Sequence, residues 1–195
     1  FTDVSGDTVT IDYEYATDGD DVVGLVSKKT IENNSSAKVA EQINIFDSQT
    51  QGTVTVGNLT TKKHWVASST YAETDFAYNT YGLVTKETDP RNKETDFGYD
   101  SYNLYPASST NELGHFTEYE YDYSSGQVEE MTDPNENIFE TIYDPLDRVQ
   151  ETKAPNLDGS GQVRTKLYTY VDGESSYIQE NTYLSSNIDR AKYTY

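Results

Sequence analysis

The chain reads as an all-β protein, a tandem run of antiparallel β-hairpins forming a curved or spiral sheet strip, and three observations predict it. An aromatic residue followed two positions later by Tyr recurs along the chain, at Tyr13/Tyr15, Phe76/Tyr78, Phe97/Tyr99, Tyr119/Tyr121, Tyr168/Tyr170 and Tyr193/Tyr195. The second Tyr recurs at 78, 99, 121 and 143, in steps of 21, 22 and 22 residues. A fixed period of this length means stacked supersecondary units. Within each unit, side chains alternate at period two and are separated by two turn signals.

Alternation predicts the strands. Thr95, Phe97 and Tyr99, like Thr117, Tyr119 and Tyr121, put β-branched and aromatic groups on every second residue, which lines one face of an extended chain. One turn signal lies around Tyr-Asp and Gly82 or Gly126. The other is Asp89-Pro90, Asn111-Glu112 or Asp133-Pro134. Proline presets φ, while Asn, Asp and Gly accept left-handed conformations or bond their own backbone, so both clusters reverse the chain. Two strands of ~8 residues with their turns account for the period.

The domains follow the spacing. Residues 1–75 carry irregular, longer copies, with steps of 31 from Tyr15 to Phe46 and 32 from Phe46 to Tyr78. Asn33-Asn34-Ser35-Ser36 is the expected tip of one, and Ala37 to Gln42 is left open between a short helical turn and the returning strand. Residues 76–169 hold the regular copies. The step from Tyr143 to Tyr170 is 27, which places an insertion near 157–161 at Leu157-Asp158-Gly159-Ser160-Gly161. Residues 170–195 form a partial copy, with Tyr177, Ile178 and Tyr183 suggesting a less regular hairpin. No linker tract divides the chain, so one continuous array is expected. Phe1 opens it without Met, and Tyr193-Thr194-Tyr195 closes it where another copy would begin, so a piece of a longer protein is expected.

Composition limits the core and the partners. Only 34% of residues are hydrophobic and 18 are Tyr, too little aliphatic mass for a thick core. Tyr supplies a large apolar ring with a hydroxyl that can stay wet or find a partner, which suits a thin sheet. Ring pairs across strands, roughly 0.5–1.5 kcal/mol each, are expected to be the main cohesive term. A net charge of −20 without a basic cluster argues against nucleic acid and anionic membranes. No apolar run approaches the ~20 residues of a membrane-crossing helix. The absence of Cys excludes a disulfide scaffold.

Candidate chemistry is sparse. His64 and His115 are the two histidines, and lacking a nearby second ligand or nucleophile they read as surface positions. Asp18-Gly19-Asp20-Asp21 lacks the ligand spacing of a calcium loop and reads as a hairpin tip. Asn33, Asn34 and Asn58 sit in glycosylation triplets that arise by chance in such a chain. No catalytic, metal-binding or cofactor-binding residue is assigned, and the chain is not expected to be an enzyme.

The residues that define the repeat are Phe76, Tyr78, Gly82, Asp89, Pro90, Phe97, Tyr99, Asp100, Gly114, Tyr119, Tyr121, Asp122, Gly126, Asp133, Pro134, Tyr143, Asp144, Arg148, Pro155, Tyr168 and Tyr170. Their order (Tyr-Asp, a Gly-containing turn, Thr-Asp-Pro, Asn, Thr, aromatic, Tyr-Asp) resembles the YD repeat of Rhs proteins, Tc toxin shell components and teneurins. The resemblance is clearest over 76–155. It departs where the glycine after Asp-Pro becomes Asn92 or Glu136, surviving as Gly114, and where Asp147 replaces the glycine before Arg148. The resemblance implies a hollow β-shell, which in bacterial members encloses a C-terminal toxic polypeptide. It therefore implies flanking repeats and that polypeptide as partners, and a secreted or cell-surface bacterial setting. Such shells end in an Asp-Pro-containing self-cleavage segment, which Asp144-Pro145-Leu146 approaches. The same dipeptide at 89 and 133 favours an ordinary turn. The alternative function is a carbohydrate-binding or adhesive surface built on exposed tyrosine rows.

Overall fold

The computed structural model describes residues 8–17, 24–156, 161–172, 177–183 and 188–194, and places fifteen strands among them. The chain divides into two compact units, Phe1–Asp96 and Phe97–Tyr195. The first contains β1 (Thr10–Tyr15), β2 (Val26–Glu32), β3 (Lys38–Phe46), β4 (Leu59–Ala67), β5 (Thr70–Tyr78) and β6 (Val84–Thr88), and the division falls within β7 (Glu94–Tyr99). The second holds β8 (Pro106–Asn111), β9 (Phe116–Asp122), β10 (Gln127–Thr132), β11 (Ile138–Tyr143), β12 (Val149–Pro155), β13 (Gln162–Val171), β14 (Tyr177–Tyr183) and β15 (Ile188–Thr194). Within each unit the strands lie side by side in the order of the chain, paired antiparallel. This is the serial-hairpin, all-β architecture that the period implies. In the segment left open between helix and strand, Lys38 to Gln42 are strand, the start of β3.

The first unit has a small apolar core. Ala16, Phe46 and Val54 are buried, with Leu25 and Leu59 packed against them. Val54 belongs to the long connection between β3 and β4, so the extended loop of this copy covers the end of its own hairpin. Nearer the start of β3 the carboxylate of Glu41 is buried among groups of β2, β3 and β5. It takes Lys38 Nζ at 2.9 Å, Lys28 Nζ at 3.8 Å, Thr30 Oγ1 at 3.2 Å and the hydroxyl of Tyr71. These donors outweigh burial, which pushes upward, and hold Glu41 below the usual carboxylate range. Among the described residues of the second unit no apolar side chain is buried, as expected of a sheet short of aliphatic residues.

The alternation appears in exposure. Thr95, Phe97 and Tyr99 are half-buried, as are Thr117, Tyr119 and Tyr121, while Asp96, Glu118 and Glu120 between them are exposed. Ring pairing is narrower than the sequence suggests. The aromatic pairs among the described residues are Tyr105 stacked on Tyr121, Tyr102 edge-on to Tyr123, and Tyr105 tilted against Tyr123. The reason is geometric: equivalent tyrosines of successive copies are two strands apart, about 9.5 Å. The strand between them supplies the actual neighbours, as Met131 does between Tyr119 and Phe139.

Candidate functional site

The two turn signals prove to be one structure. In six turns, opened by Asn33, Asn79, Asp89, Asn111, Asp133 and Asp144, the N–H of the first residue donates to the carbonyl four positions on. The N–H three positions on donates back to the first carbonyl. The first side chain closes the loop, its Oδ1 accepting N–H groups at the second and fourth following positions. For Asp133 these are Asn135 at 2.8 Å and Asn137 at 2.9 Å; for Asp144 they are Leu146 at 2.9 Å and Arg148 at 3.0 Å. This is the three-residue hairpin loop, a type I turn followed by a left-handed residue. Asp100 opens a longer version closed by Tyr105, while at Asp122, which faces Gln127, the Gly126 N–H donates back to the Asp122 carbonyl at 2.7 Å.

The left-handed position accounts for the departures from the family motif. Gly82 (φ +78°) and Gly114 (φ +75°) occupy it, and so do Asn92 (+59°), Glu136 (+64°) and Asp147 (+59°). Asn and Asp enter this region at little cost, but Glu136 bears the full Cβ penalty of roughly 1–2 kcal/mol. Glu136→Gly is therefore expected to stabilise the chain by about 0.5–1 kcal/mol, net of the greater freedom of Gly when unfolded, as read from denaturant unfolding. Gly126 has a second constraint, because a Cβ there would lie 2.8 Å from the hydroxyl oxygen of Tyr105.

Turn carboxylates are held ionised. The N–H of Lys93 depresses Asp89, the N–H of Ser124 depresses Asp122, the amide of Asn137 depresses Asp133, and the guanidinium of Arg148 depresses Asp144. In Asp100 partial burial pushes upward but the N–H groups of Tyr105 and Leu104 prevail. Arg148 donates through Nε to Asp144 Oδ2 at 2.7 Å while its guanidinium lies 4.0 Å from the centroid of the Tyr170 ring. With both oxygens so engaged, Asp144 is a turn residue. Pro90 and Pro134 follow Asp89 and Asp133 in their turns, and Pro155 ends β12 opposite Gln162.

The signature tyrosines form a clamp that alternation alone does not reveal. Phe76/Tyr78 and Phe97/Tyr99 close β5 and β7, Tyr119/Tyr121 and Tyr143 end β9 and β11, and Tyr168/Tyr170 lie near the end of β13. After Tyr78, Tyr121 and Tyr143 the register of the following pair slips by one residue, whereas Tyr170 faces Ile178 in unbroken register. Ala77 faces Lys86 but Tyr78 faces Val84; Glu120 faces Glu130 but Tyr121 faces Val128; Ile142 faces Glu151 but Tyr143 faces Val149. The longer copies do the same, with Tyr15 facing Val26 and Phe46 facing Leu59. Each slip leaves one extra residue on the even strand (Ser27, Thr60, Thr85, Glu129 or Gln150), a β-bulge that bends the strand and increases its twist.

The first bulge residue of β4, β10 and β12 anchors the next copy through its carbonyl, and Pro106 at the start of β8 is used in the same way. Tyr78 donates its hydroxyl to the Leu59 carbonyl at 2.7 Å, Tyr121 to Pro106 at 3.0 Å, Tyr143 to Val128 at 2.9 Å and Tyr170 to Val149 at 2.7 Å. Burial pushes all four phenols up, so they remain donors. Where the copy has Phe46 instead of Tyr, the corresponding carbonyl of Val26 is met by Asn44 Nδ2 at 2.8 Å. The bulges, these carbonyls and the equivalence of the two turns went unread in the sequence. The only available signal was Asn or Asp placed three residues before Gly, Asn or Asp.

His64 and His115 are exposed, the latter 3.2 Å from the Asn111 amide through Nδ1. Asp18 to Asp21 and Leu157 to Ser160, the candidate hairpin tip and most of the expected insertion, lie outside the described residues, as does Tyr195. Among the described residues no group of three or more His, Asp or Glu side chains could hold a metal ion.

No protein-family model and no curated protein matches the sequence. The structure is similar to solved structures of TcdB2-TccC3, at a TM-score of 0.57 and 12% identity over 92% of this chain, and of TcdB2-TccC3-Cdc42, at 0.55 and 12% over 92%. It is also similar to the Tc holotoxin pore of Photorhabdus luminescens, at 0.57 and 13% over 94%. At such identities the likeness is one of fold. The chain spans 11% of the length of each of these structures.

Proposed function

We propose that the chain is wall material of a YD-repeat shell: a non-enzymatic stretch of a secreted or toxin-associated bacterial protein that helps enclose a polypeptide encoded C-terminal to it. The observation that carries this reading is the likeness in fold of more than nine-tenths of the chain to a small part of each Tc toxin structure. The repeat supports it physically. Asn or Asp closes most of the turns, and the copies of Tyr78, Tyr121, Tyr143 and Tyr170 fasten to the preceding strands through a tyrosine hydroxyl. Copies can therefore be added in series, and the bulges opposite Tyr15, Phe46, Tyr78, Tyr121 and Tyr143 bend their strands at the equivalent place.

In this proposal residues 1–75 are longer copies, 76–169 regular copies and 170–195 a partial one, all in one array. The Tyr, Asp, Gly and Pro positions of the motif define its unit. The partners are flanking repeats and the enclosed polypeptide. Asp89, Asp133 and Asp144 serve turns, their carboxylates committed to neighbouring N–H groups.

The test is limited proteolysis of the full-length parent, with mass spectrometry of the resistant core. A downstream polypeptide that survives intact until the shell is denatured is the expected result. If the downstream region is clipped as fast as an isolated domain, the enclosure reading fails and the array is an open surface. The carbohydrate-binding alternative would then rest on turn tyrosines such as Tyr102 and Tyr123, 70% and 51% exposed. The signature tyrosines with bonded hydroxyls would not supply it.

A further inference from the structure

The second unit contains a charge arrangement that neither the repeat nor the wall reading requires. Glu130 on β10 faces Glu120 on β9 and Glu140 on β11, so three carboxylates stand directly opposite one another on three adjacent strands. Like charges at paired positions destabilise a sheet. Glu140 is neutralised from the far side by Lys153 Nζ at 2.6 Å on β12, and Arg164 on β13 is engaged by Glu151 at 2.8 Å. Glu118 on β9 and Glu129 at the bulge of β10 add further negative charge. The row borders an open concavity of 660 Å³ lined by Glu120, Asp122, Glu129, Glu130, Glu140 and Asp147. Among the described residues Glu130 has no ion pair, whereas the buried Glu41 of the first unit has two lysines.

We propose that the Glu120–Glu130–Glu140 row is an acid-responsive element, in which protonation of Glu130 relieves the repulsion across β9, β10 and β11 and tightens these strands as the solution is acidified from neutral. Glu130 is half-buried, which pushes its carboxyl up, and the charges of Glu120, Glu140 and Glu118 push it further in the same direction. The folded chain therefore holds this proton more tightly than the unfolded chain. The penalty is absent below the ordinary Glu value of 4.5, grows as pH rises through the raised value, and is complete above it. The depressed turn aspartates act oppositely, losing their contribution as pH falls below the ordinary Asp value of 3.8. Together they place greatest stability on the mildly acidic side of neutral. This holds whether or not the chain encloses anything.

The test is thermal unfolding of the 195-residue chain near pH 7 and near pH 4.5, the ordinary Glu value, for the wild type, Glu130→Gln and, as control for loss of one negative charge elsewhere, Glu87→Gln. Glu130→Gln is expected to raise the midpoint near pH 7 by about 2–4 °C. That gain should shrink near pH 4.5, since a carboxyl raised above the ordinary Glu value is mostly protonated there in the folded wild type. Glu87→Gln should give neither the gain nor its pH dependence. A Glu130→Gln effect that is absent near pH 7, equal at both pH values or matched by Glu87→Gln overturns the proposal. Carboxyl NMR titration of the unmodified chain provides a measurement independent of any variant. If Glu130 titrates no higher than the exposed glutamates, the row is not an acid-responsive element.

Discussion

Asp47→Ala is expected to destabilise the first unit by about 3–4 kcal/mol, a large part of the stability of an ordinary domain. Asp47 is the Tyr-Asp aspartate of the longest copy, following Phe46 as Asp122 follows Tyr121. Its loop runs to Asn58, and the carboxylate has become the centre of that loop. Oδ2 accepts the N–H groups of Thr55, Val56 and Gly57 at 2.8, 2.8 and 2.9 Å and the Thr55 hydroxyl at 3.2 Å; Oδ1 accepts the N–H of Asn58 at 2.9 Å. Removing it leaves four backbone donors without their acceptor and frees the segment that carries Val54 over Phe46 and Ala16. Asp47→Asn keeps one oxygen but replaces the other with a donor and discards the charge, so about 2 kcal/mol should be lost.

The same site fixes a pH dependence of known sign. Partial burial pushes the Asp47 carboxyl up, but the N–H groups of Gly57, Thr55, Val56 and Asn58 outweigh it and hold the group far below its ordinary value of 3.8. A depressed carboxylate stabilises the fold fully above its unfolded value and loses that contribution as pH falls further below. Denaturant unfolding near neutrality should show the whole deficit of Asp47→Ala. Near pH 3 the deficit should be visibly smaller. A deficit that does not change with pH would mean that the lost stability comes from loop packing and not from the charge.

What the sequence made legible was the part written in residue types with one physical job. Period two at Thr117, Tyr119 and Tyr121 gave a strand because alternation has no other regular solution. Asp133-Pro134 gave a turn because proline and aspartate have few other uses between strands. The equivalence of that turn with Asp144-Pro145 was hidden because the left-handed residue is Glu136 in one and Asp147 in the other, and neither announces its φ. The bulges were hidden for a deeper reason. A register slip is a relation between two strands, and Gln150 or Thr85 carries no mark that its partner is missing. Asp47 follows its aromatic as Asp122 follows Tyr121, and only the chain path shows that its partners lie eight to eleven residues away. Ring stacking was overestimated because the motif shows which residues recur but not that the return strand stands between recurrences.

Tyr143→Ala should cost about 3–4 kcal/mol, since it removes a half-buried ring and its bond to Val128. Tyr143→Phe should cost about 1 kcal/mol, the hydroxyl alone. The more discriminating experiment concerns coupling. Tyr143 faces Val149 at its own bulge, and the carbonyl of Val149 accepts the hydroxyl of Tyr170. Losing either hydroxyl loosens the residue that both copies share, so the costs of Tyr143→Phe and Tyr170→Phe should not add, differing from their sum by at least about 0.5 kcal/mol. Tyr78→Phe and Tyr143→Phe lie in different units and share no carbonyl, so their costs should add within about 0.3–0.5 kcal/mol. A double-mutant cycle by denaturant unfolding measures both. Coupling between neighbouring copies with additivity between distant ones is the energetic pattern of an array that grows by nearest-neighbour contacts. Strict additivity of Tyr143 and Tyr170 would instead make each clamp a local bond, and the continuity of the array would then have to come from the backbone ladders alone.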